Sequence, residues 1–198
     1  VRLWDRERRV VRAFQGIGPV HHVVPSPDGA YLASGDAYGH VMVWRIADGA
    51  RAGKLKHDGQ VRKLAWSDDG THLASVGDDR TVRVWTVGGE ARVLLGHEQL
   101  TTAVAFSHAG LIAAGSFDGS IRVWQPLSGE QQVLRGHVGA VFALRFLPDD
   151  AGLVSAGADG TARRWDRQEM MPRPSGELAL ATAAVTSAAI VDDRASSP

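Results

Sequence analysis

Serine, histidine and aspartate recur together along this chain, and side chains of these three types can perform acyl transfer. In such a hydrolase, histidine removes the serine hydroxyl proton and aspartate orients the imidazole ring. Two segments contain a complete set with a tryptophan at the same spacing, namely His57, Ser75, Asp79 and Trp85, and His137, Ser155, Asp159 and Trp165. The spacing raises two hypotheses, a catalytic site and a structural network.

The repetition of the set argues against catalysis. An acyl-transfer site needs one nucleophile beside one oxyanion-stabilising pocket, and that chemistry provides no reason for a second copy. A partial copy also occurs, because the segment between the complete sets retains His97, Asp118 and Trp124 but has Ala114 at the serine position. A structural network accommodates both observations, since indole, hydroxyl, neutral imidazole and carboxylate groups can donate and accept along one hydrogen-bond chain.

The tryptophans set the length of a repeat. Trp4, Trp44, Trp85, Trp124 and Trp165 follow one another at intervals of 40, 41, 39 and 41 residues. Within an interval, a segment such as "HLASVGDDRTVRVW" has apolar residues on both sides of a polar turn, which predicts two short strands. Another strand, such as "VRKLAW", precedes this pair, and a fourth, such as "QQVL", follows it. Four short strands in each unit of about 40 residues predict the blades of a β-propeller.

Short motifs around these strands resemble those of the WD-repeat β-propeller family. They are the pairs Gly96-His97 and Gly136-His137, the aspartate-containing turns, and the dipeptides Trp4-Asp5 and Trp165-Asp166. The resemblance covers residues 1 to about 166 and continues more weakly to 193. It implies a buried structural hydrogen-bond network within the blades, formed by His57, Ser75, Asp79, Trp85, His97, Asp118, Trp124, His137, Ser155, Asp159 and Trp165.

The expected fold is therefore all-β, a WD-repeat β-propeller with four near-complete four-stranded antiparallel blades and partial blades at both ends. Residues 1–13 would end an upstream blade, and successive repeats would occupy 14–53, 54–94, 95–134 and 135–175. Residues 176–193 would begin a further blade, and 194–198 would be a tail. The segment "RQEMMPRPSGE", which follows Asp166, has loop character. Because these units do not complete a ring of the size common in the family, we expect a fragment of a longer protein that can carry further domains.

The resemblance also implies a partner-binding face at one end of the strands. In related WD-repeat proteins, contacts often come from positions three and five residues after the Gly-His histidine and one before the turn aspartate. The matching residues are His21, Gln60, Arg62, Asp78, Leu100, Thr102, Phe117, Ala140, Phe142 and Ala158. Phe117, Phe142 and Arg62 matter most, because aromatic and arginine side chains dominate interface energetics when they are desolvated.

The composition limits the possible partners and chemistry. The 22 basic and 22 acidic side chains give a formal net charge of zero, so no long-range field favours nucleic acid or a membrane. The absence of cysteine excludes disulfides, thiol catalysis and thiolate metal sites. The histidines and aspartates lack metal-site spacing, and no phosphate-binding loop motif is complete. We therefore expect no cofactor, no metal, no nucleic acid and no membrane.

The function implied by the resemblance is a non-catalytic protein–protein interaction scaffold, or the sensing and docking module of a larger polypeptide. Its partner would be a protein, and its location would be cytoplasmic. The alternative is an enzymatic or small-molecule-binding propeller that uses the central channel. That alternative requires charged or metal-ligating side chains from several inner strands, whereas "VRKLAW", "TAVAF" and "VFALRF" are mainly apolar.

Overall fold

Short antiparallel strands make up nearly all of the structure. The computed structural model describes residues 1–87, 89, 91–126 and 129–171. An N-terminal hairpin pairs β1 (Arg2–Trp4) with β2 (Val10–Ala13). The first blade consists of β3 (Val20–Pro25), β4 (Tyr31–Asp36), β5 (His40–Arg45) and β6 (Arg51–Lys56). The second consists of β7 (Val61–Trp66), β8 (His72–Gly77), β9 (Val82–Thr86) and β10 (Ala91–Leu94).

The remaining strands repeat this pattern. The third blade consists of β11 (Thr101–Phe106), β12 (Ile112–Ser116), β13 (Ile121–Trp124) and β14 (Gln131–Leu134). The fourth has three strands among the described residues, β15 (Val141–Phe146), β16 (Gly152–Gly157) and β17 (Ala162–Asp166). Within each sheet every strand pairs with the next one in the chain, and the first strands of successive blades lie side by side. The prediction of an all-β fold built from four-stranded antiparallel sheets is confirmed.

The C-terminal end of the described structure differs from the expected loop. Residues Arg167–Met170 form one helical turn, α1. The Glu169 carboxylate accepts the backbone N–H of Asp166 at 2.7 Å, and Met170 is buried. This capping contact and the burial of Met170 favour a helical turn over an irregular loop. The end of the fourth predicted repeat at 172–175, the further blade at 176–193 and the tail at 194–198 lie outside the described residues.

The apolar core is divided into layers between neighbouring sheets. Each periodic tryptophan except the first packs in the layer on the N-terminal side of its own blade: Trp44 with Phe14, Trp85 with Val43, Trp124 with Ile112 and Trp165 with Phe146. Trp4 is 54% exposed, because no sheet in the described part of the chain covers that side of the hairpin. A single blade therefore cannot bury its apolar faces alone.

Glycines near the ends of the second strands allow successive blades to approach closely. A Cβ at Gly35 would clash with Val61 Cγ1, and a Cβ at Gly115 would lie 2.7 Å from Val141 Cγ1. Both valines are fully buried at the start of the next blade's first strand. Any side chain at these glycines would therefore push two blades apart.

Replacing Gly115 by alanine should destabilise the protein by about 1–3 kcal/mol, because the new methyl group overpacks the interface between the third and fourth blades. Gly53→Ala is the matched control, since its Cβ would meet no atom closer than 3.7 Å. Urea unfolding monitored by tryptophan fluorescence would measure both. Equal midpoints for the two variants would contradict this account of the interface.

Candidate functional site

Four polar side chains form a continuous chain across one end of the second blade. His57 Nδ1 lies 2.9 Å from each carboxylate oxygen of Asp79, and His57 Nε2 lies 2.7 Å from Ser75 Oγ. Trp85 Nε1 donates to the same hydroxyl oxygen at 2.7 Å. A neutral imidazole protonated at Nδ1 satisfies every group, because it donates to the carboxylate and accepts the serine proton. His57 and Ser75 are fully buried.

The fourth blade repeats this arrangement with nearly the same distances. His137 Nδ1 lies 3.0 Å from both carboxylate oxygens of Asp159, and His137 Nε2 lies 2.7 Å from Ser155 Oγ. Trp165 Nε1 donates to that hydroxyl at 2.9 Å. The structure therefore brings all four expected side chains together in two blades. Each chain links the loop before the first strand to the second strand, the following turn and the third strand.

The carboxylates at the ends of these chains are held in their charged form. Burial alone raises the pKa of Asp79, but hydrogen bonds from His57 and Thr81 outweigh it and keep the pKa below the ordinary value of 3.8. Burial likewise opposes ionisation of Asp159, and hydrogen bonds from the Val138 N–H, His137 and Thr161 lower its pKa below 3.8. Each carboxylate is therefore an acceptor at neutral pH, as the orientation of the imidazole requires.

The third blade lacks the middle member of the chain. His97 packs edge-on against Trp124 with ring centroids 5.6 Å apart, but neither ring nitrogen has a hydrogen-bond partner among the described residues. Ala114 occupies the place of the serine, and the Asp118 carboxylate accepts the Ser120 N–H at 2.8 Å, the same turn contact that Asp79 and Asp159 make. Burial, assisted by the Arg122 charge, lowers the pKa of His97 from 6.5 to about 4. The imidazole is therefore neutral at physiological pH.

The first blade uses a different residue for the same turn. Tyr38 stands where the other blades have aspartate, and Asp36, two residues earlier, takes over the contacts. Its carboxylate accepts the N–H groups of Gly18, Tyr38 and His40 at 3.0, 2.9 and 2.8 Å. His40 Nδ1 lies 3.3 Å from the same carboxylate. The alignment of repeats missed this substitution, and the only sequence signal for it is the Asp36–His40 pair flanking a turn glycine.

A β-bulge recurs at one position in the first strand of every blade. The pairing between first and second strands skips one residue each time, namely His21, Arg62, Thr102 and Phe142. A bulge leaves one residue out of the ladder and re-aims its side chain. These four residues are also the positions five residues after the Gly-His histidine, or their equivalent in the first blade. The bulge therefore gives a structural reason for their common direction.

The bulged residues contribute to a shallow depression, which we call the bulge face. It lies at the end of the sheets that also carries the hydrogen-bond chains. The depression has a volume of about 390 Å³ and is lined by His21, Gln60, Arg62, Lys63, Leu100, Thr102, Phe117 and Phe142. It thus joins side chains from four blades, including seven of the predicted binding residues. Lys63 was not predicted. Phe117 and Phe142 are each 54% exposed, so the depression presents two aromatic rings to solvent.

Two of the polar residues on the bulge face are already engaged. Arg62 pairs with Asp78 through two hydrogen bonds, at 2.6 Å and 3.1 Å, which places Asp78 beside the depression. The Thr102 hydroxyl donates to the carbonyl oxygen of Val141 in the next blade, at 2.5 Å. Lys63 forms no ion pair with any residue that the structure describes. Positive charge on this face is therefore concentrated on Lys63.

The inner strands offer little for channel chemistry. A second cavity of about 180 Å³ lies beside them and is lined by His22, Lys63, Leu64, Ala103, Val104, Phe142, Ala143 and Leu144. Burial and the Lys63 charge lower the pKa of His22 below 6.5. Among the described residues, no group of three or more histidines and carboxylates could hold a metal ion. In the same part of the chain, no helix is long and apolar enough to cross a membrane.

The structure is a series of antiparallel meanders whose first strands lie side by side and carry the same bulge. This arrangement defines a β-propeller repeat protein. The family model described as WD domain, G-beta repeat matches residues 8–45, 51–86, 88–125 and 128–166. The chain therefore belongs to the WD40 family.

Curated relatives and a solved structure agree with this assignment. The chain is 26% identical to WD repeat-containing protein 1 of Gallus gallus over 74% of its own length and 34% of the relative. It is 30% identical to nuclear distribution protein PAC1-2 of Uncinocarpus reesii, over 70% of its length and 36% of the relative. The crystal structure of the computationally designed Ika4 protein superposes with a TM-score of 0.68 at 34% identity, covering 78% of this chain and 95% of that one. The chain spans about a third of the curated relatives' length.

Introducing the missing hydroxyl with Ala114→Ser should stabilise the protein by about 0.5–1.5 kcal/mol, because His97 and Trp124 would gain a shared partner. The reverse change in the second blade, Ser75→Ala, should cost about 1–3 kcal/mol. Ala113→Ser is the control, since Ala113 is equally buried but lies in a purely apolar layer. Urea denaturation would rank the three, and a stability loss in Ala114→Ser would contradict the proposed role of the chain.

The neutral His97 should also make stability depend on pH. Its pKa is lower in the folded protein than in the unfolded chain, 6.5 falling to about 4, so its contribution is fully present above pH 6.5. That contribution should be lost progressively as pH falls from 6.5 towards 4. In His97→Gln, which cannot titrate, the unfolding free energy should fall less steeply over this interval. Identical slopes for the two proteins would refute the assignment.

Proposed function

We propose that this segment is a non-catalytic protein-interaction module that binds its partner through the bulge face. Membership of the WD40 family supports protein–protein interaction at a general level. The observation that carries the proposal is the convergence of side chains from four blades on one depression, with Phe117 and Phe142 both half exposed. Exposed aromatic rings on a rigid scaffold are typical anchors of protein interfaces.

The chemistry of the face indicates what a partner presents to it. Leu100, Phe117 and Phe142 provide an apolar surface large enough for one or two apolar side chains of a peptide segment. Lys63 supplies a positive charge at the edge of the depression, while the charge of Arg62 is balanced by Asp78. We therefore propose an apolar anchor followed by a carboxylate as the recognised feature.

The histidine, serine and aspartate sets have a structural role in this proposal. Ser75 Oγ has no exposed surface and already interacts with both Trp85 and His57. Ser155 is 3% exposed and has the corresponding partners. A nucleophilic serine must reach a substrate carbonyl beside an oxyanion pocket. A buried hydroxyl that is already bonded to an indole and an imidazole does not meet this requirement. The enzymatic alternative through the central channel has no comparable support.

The wider setting of the module is part of the same proposal. Because the curated relatives are about three times as long as the matched region, we propose that the segment works within a longer WD-repeat protein. The repeat boundaries at 14–53, 54–94, 95–134 and 135–175 remain our proposal, as does the tail at 194–198. A cytoplasmic location and the absence of nucleic-acid or membrane partners stay predictions.

Peptides with an apolar residue followed by a carboxylate, selected from a displayed library against this chain, should depend on the bulge face. The double variant Phe117→Ser, Phe142→Ser should weaken binding of the selected peptides at least tenfold, because interface aromatic residues contribute about 2 kcal/mol or more when they are anchors. Fluorescence anisotropy with labelled peptides would measure the change. Lys63→Glu should have a smaller effect that decreases with added salt.

Val93→Ser is the matched control for the double variant. Val93 is 44% exposed on the outer strand β10, away from the bulge face. Thermal unfolding of all variants would show that the fold is retained. Selected peptides that bind the double variant as tightly as the wild type, or that lose binding in Val93→Ser, would overturn the proposal.

A further inference from the structure

A second pocket, which we call the interblade pocket, opens between the second and third blades. It has a volume of about 370 Å³ and lies at the opposite end of the sheets from the bulge face, because its walls come from the turns after β7 and β11. Apolar residues Val84, Phe106 and Ile112 form part of its lining. Around them stand Ser67, Asp68, Asp69, His72, His108 and Gln125. A pocket of this size with an apolar lining and a few polar groups is typical of a ligand site.

The equivalent interface between the first and second blades is filled by aromatic rings. Trp66, the last residue of β7, stacks on Tyr31 with ring centroids 6.4 Å apart. Its indole N–H also donates to the Val24 carbonyl oxygen across the interface at 3.2 Å. The cavity at this interface that is lined in part by Val43 and Leu73 has a volume of only about 10 Å³. Two large rings therefore close the first interface.

Smaller side chains occupy both positions at the next interface. Phe106 ends β11 as Trp66 ends β7, and the strand pairings place Phe106 opposite Ile112 as they place Trp66 opposite Leu73. His72 begins β8 as Tyr31 begins β4. The tryptophan–tyrosine pair is thus replaced by phenylalanine and histidine. At the first interface the corresponding space is closed by the stacked rings of Trp66 and Tyr31, whereas here it stays open.

The rim of the interblade pocket is acidic at neutral pH. One oxygen of Asp69 accepts three hydrogen bonds within its own turn, from Ser67 Oγ, Thr71 N and Thr71 Oγ1, at 2.6, 2.9 and 2.8 Å. These bonds lower the pKa of Asp69 to about 2. Its second oxygen accepts no hydrogen bond from the described residues, so it remains available to a ligand. Asp68 contacts His108 across the interface.

The wall from the third blade is held from behind. Asp150, a buried residue of the fourth blade, accepts the backbone N–H groups of His108 and Ala109 at 3.0 and 2.7 Å. The turn at 107–110 is therefore fixed by its neighbour rather than by the pocket's occupant. A wall fixed in advance lowers the entropic cost of binding.

We propose that the interblade pocket binds a partner peptide through a tryptophan or tyrosine that adjoins a lysine or arginine. The aromatic ring fills the space over Val84, Phe106 and Ile112, where the neighbouring interface carries its own indole. The adjoining cation pairs with the free oxygen of Asp69. This site is separate from the bulge face, so the protein would hold two peptide segments at opposite ends of the sheets.

The test uses the peptide acetyl-Gly-Trp-Lys-Gly-amide with the full chain, followed by NMR shifts of backbone amides. Saturable shifts should appear at Ala109, Gly110 and His72, and replacement of tryptophan by alanine or of lysine by glutamate in the peptide should reduce the affinity at least fivefold. Asp69→Asn should reduce the affinity of the lysine peptide and raise that of the glutamate peptide, because it removes attraction in the first case and repulsion in the second. No saturable shift at millimolar peptide would overturn the proposal.

Filling the pocket provides an independent test. Phe106→Trp should weaken binding at least tenfold, and His72→Tyr, at an exposed position, serves as a second filling variant if the first is poorly folded. Phe146→Trp is the matched control, because Phe146 ends β15 at the equivalent position of another interface. Unchanged binding in both filling variants would refute the site.

A free aromatic amine is the other possible source of this chemistry. Tryptamine offers the same ring and charge without a peptide backbone. It should bind at least fivefold more weakly than the peptide, since it lacks contacts with the turn residues. Binding of tryptamine as tight as that of the peptide would overturn the assignment to a peptide partner.

Discussion

The structure depends on one constraint, which is that no sheet of four short strands can cover its own apolar faces. In the described structure, the second and third blades each bury one face against the blade before and one against the blade after, so the core consists of layers between neighbours. The layers are thin enough that Gly35 and Gly115 meet valine side chains of the next blade directly. Close approach, not strand propensity, thus explains why glycine occupies these strand positions.

The buried polar chains solve a second problem that layered packing creates. Apolar contacts between sheets are not directional, whereas a hydrogen-bond chain from tryptophan through serine and histidine to aspartate holds two strands, a turn and a loop in one register. The second and fourth blades have the complete hydrogen-bond chain. In the third blade the histidine has no hydrogen-bond partner among the described residues, and in the first blade Asp36 takes the place of the turn aspartate. The blades therefore share one backbone geometry while differing in what stabilises it.

Much of this organisation could be predicted from tryptophan spacing, because a repeated backbone puts the same chemical demand on every fortieth residue or so. His57, Ser75 and Asp79 were expected together on that basis, and their atoms lie within hydrogen-bond distance. Asp36 was missed because its role moved two residues along the turn. The interblade pocket was missed because it depends on how Trp66 and Phe106 compare across two different interfaces. Whether the side chains of two neighbouring blades fill the space between them cannot be read from the repeat pattern of a single sequence.

The recurring bulge has a consequence for how such a surface changes over time. A bulged residue is outside the strand ladder, so its side chain carries little of the information that specifies the fold. Histidine, arginine and phenylalanine occupy the bulged position in three blades, and the strand pairing around them is the same. Thr102 is the exception, because its hydroxyl bonds the next blade. Each repeat therefore has one position whose side chain can change with little effect on strand pairing. Substitutions there can alter what the surface binds while the fold is kept.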